Sequence, residues 1–404
     1  MNPLSAAAWV AAFFLCANLF SHTVALRLLL LILGLALVAA AIWKDRHALR
    51  ITPPLWLPFL AWGAWAAFSP AWSLEPARSL KEFQNEIGYC GLAFWFCYLA
   101  AQAKSARRAM LWIACLGALA VCAVAGYYFS KGFWIYSTGP HGGSGNHSSA
   151  LLTMMPCALL LAWYAQRKAW APALRYLPWV AVAIFLLSGY GTYNRTIWLG
   201  FAAEFVLFGL LMMKRRIALG AEPLGGKAKM IAVILALAVA AGAGAMLYQV
   251  QASRVNLVKE VNVAQDPRLE LWLAIVDRIE ERPLTGYGFG RGMFRGVLRK
   301  EMDNLNLWHS HNLLLDITLQ LGLPGLVLLL LLLGATIREG WRRSLDADDA
   351  AAACGIAIVA VVAGMLVRNM TDVLWVRQNS LLYWGVLGVL FAWSSGAASR
   401  PRAA

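Results

Sequence analysis

The sequence predicts an all-α, polytopic integral membrane protein with about twelve transmembrane helices and one large loop on the outer side. Composition, the length of the apolar runs and the placement of basic residues carry that prediction. Hydrophobic residues make up 61% of the 404, and charged residues 14%. A soluble domain carries about 25% charged residues. Polar surface is too scarce to cover a core of this content, so lipid must cover much of it.

A span needs about twenty apolar residues. Runs that meet this rule lie near 4–22, 24–43, 54–69, 86–102, 108–130, 149–165, 176–191, 196–213, 230–249, 313–336, 351–368 and 380–396. The first, Leu4 to Phe20, lacks the basic start and small-x-small cleavage site of a signal peptide and reads as the first span. The chain therefore divides into residues 1–249 with nine spans, a loop over 250–312, and residues 313–404 with three spans and a short tail.

Basic residues set the orientation. One set of alternate loops, with the tail, holds nineteen Lys and Arg, among them Lys44, Arg107, Arg108, Lys214 and Arg343. The opposite short loops hold six: Arg78, Lys81, Lys131, Arg195, Arg368 and Arg377. The richer side is expected to be cytoplasmic, which puts both termini inside and the 250–312 loop outside. The net charge of +15 is scattered over short loops, a pattern that orients a membrane protein and excludes a nucleic-acid-binding domain. The seven cysteines all fall in apolar runs, without CxxC or zinc spacing, and read as small fillers.

The loop has its own pattern. From Asp266 to Pro283, Leu269, Leu271, Trp272, Ile275, Val276 and Ile279 recur at helical spacing, predicting a short amphipathic helix near the membrane surface. The turn-rich stretch Gly286-Tyr-Gly-Phe-Gly-Arg-Gly292 follows. Then Trp308-His-Ser-His-Asn312 gives way abruptly to an apolar helix. His311 and Asn312 thus sit at the mouth of a helix whose open amides favour anions. A neutral imidazole there suits a general base acting on a phosphate-bearing substrate, and a helix cap is the alternative.

Other polar residues are candidates of differing strength. Arg195 lies in the polar break Ser188-Gly-Tyr-Gly-Thr-Tyr-Asn-Arg-Thr196, with Tyr193 and Asn194 as neighbouring donors. Arg268 opens the amphipathic segment. Guanidinium groups bind phosphate through paired hydrogen bonds, so these two could clamp a pyrophosphate, whereas a snorkelling anchor is the alternative for Arg195. Lys81 adds a charge to that site or pairs with Glu82 or Glu86. Arg291 lies in the glycine-rich stretch, where backbone amides could approach phosphate. His309 and His311 form an HxH pair, but with few acids nearby and an unspecific spacing no metal is assigned. Asp346-Ala-Asp-Asp349 resembles a metal-binding DxD and reads instead as a solvated helix start. Glu204 and Asp316 are intramembrane acids, with Asp316 on the same helix face as Asn312 and Arg27 a potential partner of Glu204.

These motifs resemble a known family. His311-Asn312, nine residues, then Gly322-Leu-Pro-Gly325 resembles the HN-x9-G-x-x-G signature of the bacterial O-antigen ligases. Arg195 and Asp266-Pro-Arg268 are similar to that family's other two basic positions, and Pro283 to Gly290 to its glycine-rich stretch. The resemblance implies a periplasmic active site in the bacterial inner membrane. It implies transfer of a polysaccharide from undecaprenyl pyrophosphate to the lipid A–core oligosaccharide. The pyrophosphate already activates the leaving group, so no cofactor, ATP or metal is implied. His311 would act as base, with Arg195 and Arg268 on the departing pyrophosphate and Lys81, Tyr193, Asn194, Arg291 and Asn312 as substrate-binding positions. The same superfamily includes O-antigen polymerases, which remain an alternative. A transporter would require paired charges at mid-membrane, and the sequence holds few.

Overall fold

The computed structural model describes residues 2–104, 106–132, 142–167, 172–192, 194–220, 226–252, 267–301, 309–371, 373 and 377–395. All regular elements among them are helices. In chain order they are α1 (Pro3–Ala17), α2 (Val24–Lys44), α3 (Trp56–Phe68), α4 (Pro76–Phe83), α5 (Tyr89–Ala100), α6 (Arg107–Ser130), α7 (Ser144–Arg167), α8 (Pro172–Gly191) and α9 (Arg195–Ala218). They continue with α10 (Gly226–Ala252), α11 (Pro267–Glu281), α12 (Arg295–Glu301), α13 (Leu313–Ser344), α14 (Asp349–Asn369) and α15 (Arg377–Ser395). A π-helical turn, Gln84–Gly88, joins α4 to α5.

Each of the twelve apolar runs falls on a helix. Six helices among the described residues are long and apolar enough to cross a membrane: α2, α6, α7, α9, α13 and α14. Helix α1 is apolar but shorter, as is the Val233–Ala245 part of α10. The amphipathic segment forms α11, with Leu271 and Ile275 fully buried against Tyr287, Met293, Phe294 and Leu298. Leu269 and Leu273 face outward.

Small residues let the helices approach. In lipid there is no hydrophobic gain in pressing one apolar helix on another, so close packing and polar contacts must hold the bundle. Helix α14 buries Ala351, Ala352, Ala353, Ala357 and Ala360. A Cβ at Gly355 would lie 2.6 Å from the Gly340 carbonyl, so α13 and α14 cross almost backbone to backbone. The aromatic rings of Phe94, Trp384 and Phe391 interlock edge to face between α5 and α15.

One break in this order positions the candidate site. Gly322 in α13 has φ 67° and ψ −177°, a conformation essentially restricted to glycine. Pro324, two residues on, has no N–H to give the Gln320 carbonyl. The Leu323 N–H turns away and donates to Pro283 O at 2.7 Å. Three carbonyls then need donors in a buried setting, where an unpaired one is costly. Tyr287 N–H donates to Leu319 O (3.0 Å), Gly288 N–H to Gln320 O (2.9 Å) and the Trp65 indole to Leu321 O (2.9 Å). The glycine-rich stretch is thus the backbone partner of a broken helix. No side chain fits between them: a Cβ on Gly286 would fall 2.5 Å from Gln320 C, and one on Gly322 2.5 Å from Leu284 O.

Candidate active site at the mouth of helix α13

Helix α13 starts at a true cap. Asn312 Oδ1 accepts the N–H groups of Leu314 (2.9 Å) and Leu315 (3.2 Å), and its Nδ2 donates to Met370 O (3.2 Å). The capping role is therefore filled by Asn312, and His311 is not needed for it. His311 precedes the cap with φ 50°, a left-handed conformation uncommon outside glycine. Its N–H donates to His309 Nδ1 at 3.1 Å, and the two rings lie 3.8 Å apart, tilted by 48°. His309 is buried, so a buried imidazole acting as acceptor holds the strained backbone of a half-exposed one.

Behind the mouth lies a buried polar network. Ser310 is fully buried, with its hydroxyl 3.0 Å from Asp316 Oδ1 and 2.8 Å from Asn312 O. Asp316 Oδ2 accepts from Gln320 Nε2 (2.7 Å), and Gln320 Oε1 accepts the Gly290 N–H (2.8 Å). The positive charge of Arg291 acts on Asp316, and Arg291 Nη1 lies 3.4 Å from Val373 O. The Trp272 indole donates to Ser310 O at 2.7 Å, tying α11 to the histidine segment. Arg268 lies one turn before Trp272 on α11. On the far side of the glycine stretch the Tyr287 hydroxyl donates to Glu281 Oε2 at 2.5 Å. Burial first, then that carboxylate, pushes the phenol up to about 12, so it stays a neutral donor.

The expected cations differ in their circumstances. Arg195 is the first residue of α9, exposed, and makes no hydrogen bond or ion pair among the described residues. Lys81 on α4 is likewise exposed and has no ion pair among the described residues, so the alternative of pairing with Glu82 or Glu86 is not met; Glu86 Oε2 lies 3.4 Å from the Ser380 hydroxyl. Arg268 is half-buried and engaged. Tyr193 lies outside the described residues, as does Asp266.

Several other residues have defined places in the fold. Asn194 is a helix cap: its Oδ1 accepts from Thr196 N (3.2 Å) and Thr196 Oγ1 (2.9 Å). The glycine stretch is no phosphate cradle, because the amides from Gly286 to Gly290 are all engaged within the fold. Besides the three partners already named, Gly286 donates to Arg282 O (3.0 Å) and Phe289 to Ser69 Oγ (2.9 Å). Arg27 does not pair with Glu204, whose carboxylate oxygens have no hydrogen-bond partner among the described residues. The DxD sequence is a helix start, as expected: Asp348 Oδ1 accepts Ala351 N–H (2.8 Å) and Asp349 pairs with Arg215 at 2.7 Å.

Sequence reasoning missed Ser310, Gln320 and Trp272 as members of the site, and a buried pair between α7 and α8, His147 Nε2 to Ser188 Oγ at 2.7 Å. Gln320 had a signal, a polar residue one turn after Asp316 in an apolar run. Trp272 read only as part of an apolar face.

Residues 180–330 match the family model described as O-Antigen ligase. This stretch contains Arg195, Arg268, the glycine segment, His311 and the broken start of α13. A protein of Rickettsia felis named as a polysaccharide ligase is 26% identical over 220 residues, 50% of this chain and 53% of that protein. The O-antigen ligase of Salmonella typhimurium is 27% identical over 222 residues, 52% of this chain and 50% of its own length. A Rickettsia bellii protein, also named as a polysaccharide ligase, is 31% identical over 120 residues, 28% of this chain and 29% of its own. The chain spans about half the length of the first two of these relatives in the matched regions. The match over residues 180–330 and these relatives support the O-antigen ligase superfamily, the one that the motifs resemble.

Proposed function

We propose that the chain is a glycosyltransferase that moves O-antigen polysaccharide from undecaprenyl pyrophosphate to the lipid A–core oligosaccharide, at the periplasmic face of the bacterial inner membrane. The observation that carries this reading is the division of labour at the mouth of α13. Asn312 caps the helix, so the half-exposed imidazole of His311 beside it is not required as a cap and is placed where it can exchange a proton with a substrate. In the proposed step an acceptor sugar hydroxyl gives its proton to His311 as its oxygen bonds to the donor's anomeric carbon. The bond from that carbon to the pyrophosphate oxygen breaks, and the electron pair leaves with the pyrophosphate. Arg195, Arg268 and Lys81 would offset the growing negative charge. Attack on the face opposite the leaving group would invert the anomeric centre.

The count of nineteen basic residues against six supports placing this end of the bundle outside. Cysteine substitutions at exposed Val297 and Ala347, in a background without native cysteines, test it. A membrane-impermeant reagent should label the first and not the second, and the reverse would put the site on the wrong side. The activity is tested by lipid-linked glycan and lipopolysaccharide from a deletion strain. Polymerised glycan on the carrier and none on lipid A–core is expected. Accumulation of single unpolymerised units would make the chain a polymerase instead.

A further inference from the structure

The opposite end of the bundle holds a second constellation that the proposed chemistry does not use. Helix α13 separates the two ends by 32 residues, roughly 45 Å of helix. Several arginines there have protein partners. Arg343 pairs with Glu339 at 2.7 Å and donates to the hydroxyls of Ser394 and Ser395. Arg50 donates to Ser395 O at 3.2 Å, and Arg215 pairs with Asp349.

Arg107 and Arg108 at the start of α6 are different. The Arg107 guanidinium lies 5.5 Å from the ring centre of Trp393, and that of Arg108 5.3 Å from the ring centre of Tyr164. The two rings meet edge to face at 5.8 Å, forming one aromatic shelf from the ends of α7 and α15. Neither arginine makes a hydrogen bond or ion pair among the described residues. The carboxylate whose charge acts on Arg107 is that of Asp348, which is already the cap of α14. A guanidinium stacked on a ring keeps its in-plane N–H groups free, and five donors on each arginine await acceptors.

Directly along the same helix face lies an apolar groove between α6, α7 and α8. Trp112, Leu116 and Leu119 follow Arg108 at helical spacing on one wall; Ala158 and Leu161, one turn before Tyr164, form the second, and Pro178 the third. Leu116, at 49% exposure, opens the groove to the surrounding lipid. Aromatic residues of this kind mark the level of lipid headgroups, and basic pockets between helices at that level take anionic ones.

From this continuity of cationic shelf and apolar groove we infer that Arg107, Arg108, Trp393 and Tyr164 form a binding site for an anionic phospholipid, with the phosphodiester on the two guanidinium groups and one acyl chain in the groove. The groove distinguishes a lipid from a free phosphate, which would use the arginines alone.

The test uses the full chain in nanodiscs of phosphatidylcholine, with and without phosphatidylglycerol, and native mass spectrometry of retained lipid. Wild type should retain phosphatidylglycerol selectively. The double variant Arg107→Gln/Arg108→Gln should lose about thirtyfold in that preference, with unchanged melting in pure phosphatidylcholine. Lys44→Gln/Arg46→Gln, which removes the same charge at exposed positions of the same end, should leave it intact. Arg107→Lys/Arg108→Lys, which keeps the charge without the planar fork, should fall between and serves if the glutamine variant does not fold. Equal loss in the Lys44/Arg46 control, or no loss in either arginine variant, would overturn the site. Displacement of the retained lipid by inorganic phosphate alone would overturn the lipid assignment.

Discussion

The two ends of the bundle treat the same groups in opposite ways. At the end that holds His311, the groups that look like ligands in the sequence are committed to the fold: the glycine amides to α13, Asn194 and Asn312 to helix caps. Two cations there, Arg195 and Lys81, are exposed and have no hydrogen-bond or ion-pair partner among the described residues. At the other end, Arg215, Arg343 and Arg50 hold acids, hydroxyls and carbonyls of neighbouring helices. These three arginines act as fasteners between helices, unlike Arg107 and Arg108 at the same end. Exposed cations at the end that holds His311 suit an anionic substrate.

The sharpest contrast is between two glycines with positive φ. Gly322→Ala should cost about 3–5 kcal/mol, because the conformation excludes a side chain and the new methyl meets the Leu284 carbonyl. Gly220→Asn, at the other end, has open space around it and a left-handed φ of 63° that Asn tolerates, so it should change stability by less than about 0.5 kcal/mol. Thermal unfolding in detergent reads both. Similar melting temperatures for the two variants would mean that the contact between residues 283–290 and α13 does not govern stability.

The arginines give the next contrast. Arg195→Lys and Arg268→Lys keep the charge and lose the planar fork, and each should lower transfer by about 30- to 1000-fold with the protein still inserted. Arg215→Ala should do the reverse. It removes a buried guanidinium that fastens α9 to the start of α14, costing about 2 kcal/mol, moderated by the exposure of Asp349, with transfer per folded molecule unchanged. Near-normal transfer in both lysine variants would return Arg195 and Arg268 to the role of interfacial anchors.

The smallest contrast is between caps. Asn194→Ala and Asp348→Ala remove equivalent oxygens from helix starts at opposite ends, and each should cost about 1 kcal/mol. A much larger loss of transfer than of stability in Asn194→Ala would show that this side chain also meets substrate.

The sequence made the helices legible because apolar run length is a property of one segment at a time. All twelve runs lie on helices, and the amphipathic pattern after Asp266 became α11. The polar-to-apolar switch at Asn312 marked the start of α13 to the residue. What joins segments was not legible. The glycines from Gly286 read as a phosphate cradle because a stretch of free amides and a stretch paired with a distant helix share one composition. The partner of that stretch lies some thirty residues on, and only the Gly322 break makes the pairing necessary. Glu204 and Arg27 had suitable charges but no local pattern that could say whether they meet. Trp272 and Gln320 entered the site through single hydrogen bonds that periodicity does not report.

The central claim, that His311 is a base and Asn312 the cap, is tested most directly by His311→Asn. An amide can accept a hydrogen bond in the left-handed turn but cannot take up a proton near neutral pH. Purified variant and wild type would be compared for transfer of lipid-linked glycan to lipid A–core, with donor binding and melting temperature measured on the same samples. Normal melting, normal donor binding and almost no transfer are expected. Retention of most of the transfer activity would contradict it and leave the histidine with a structural role alone.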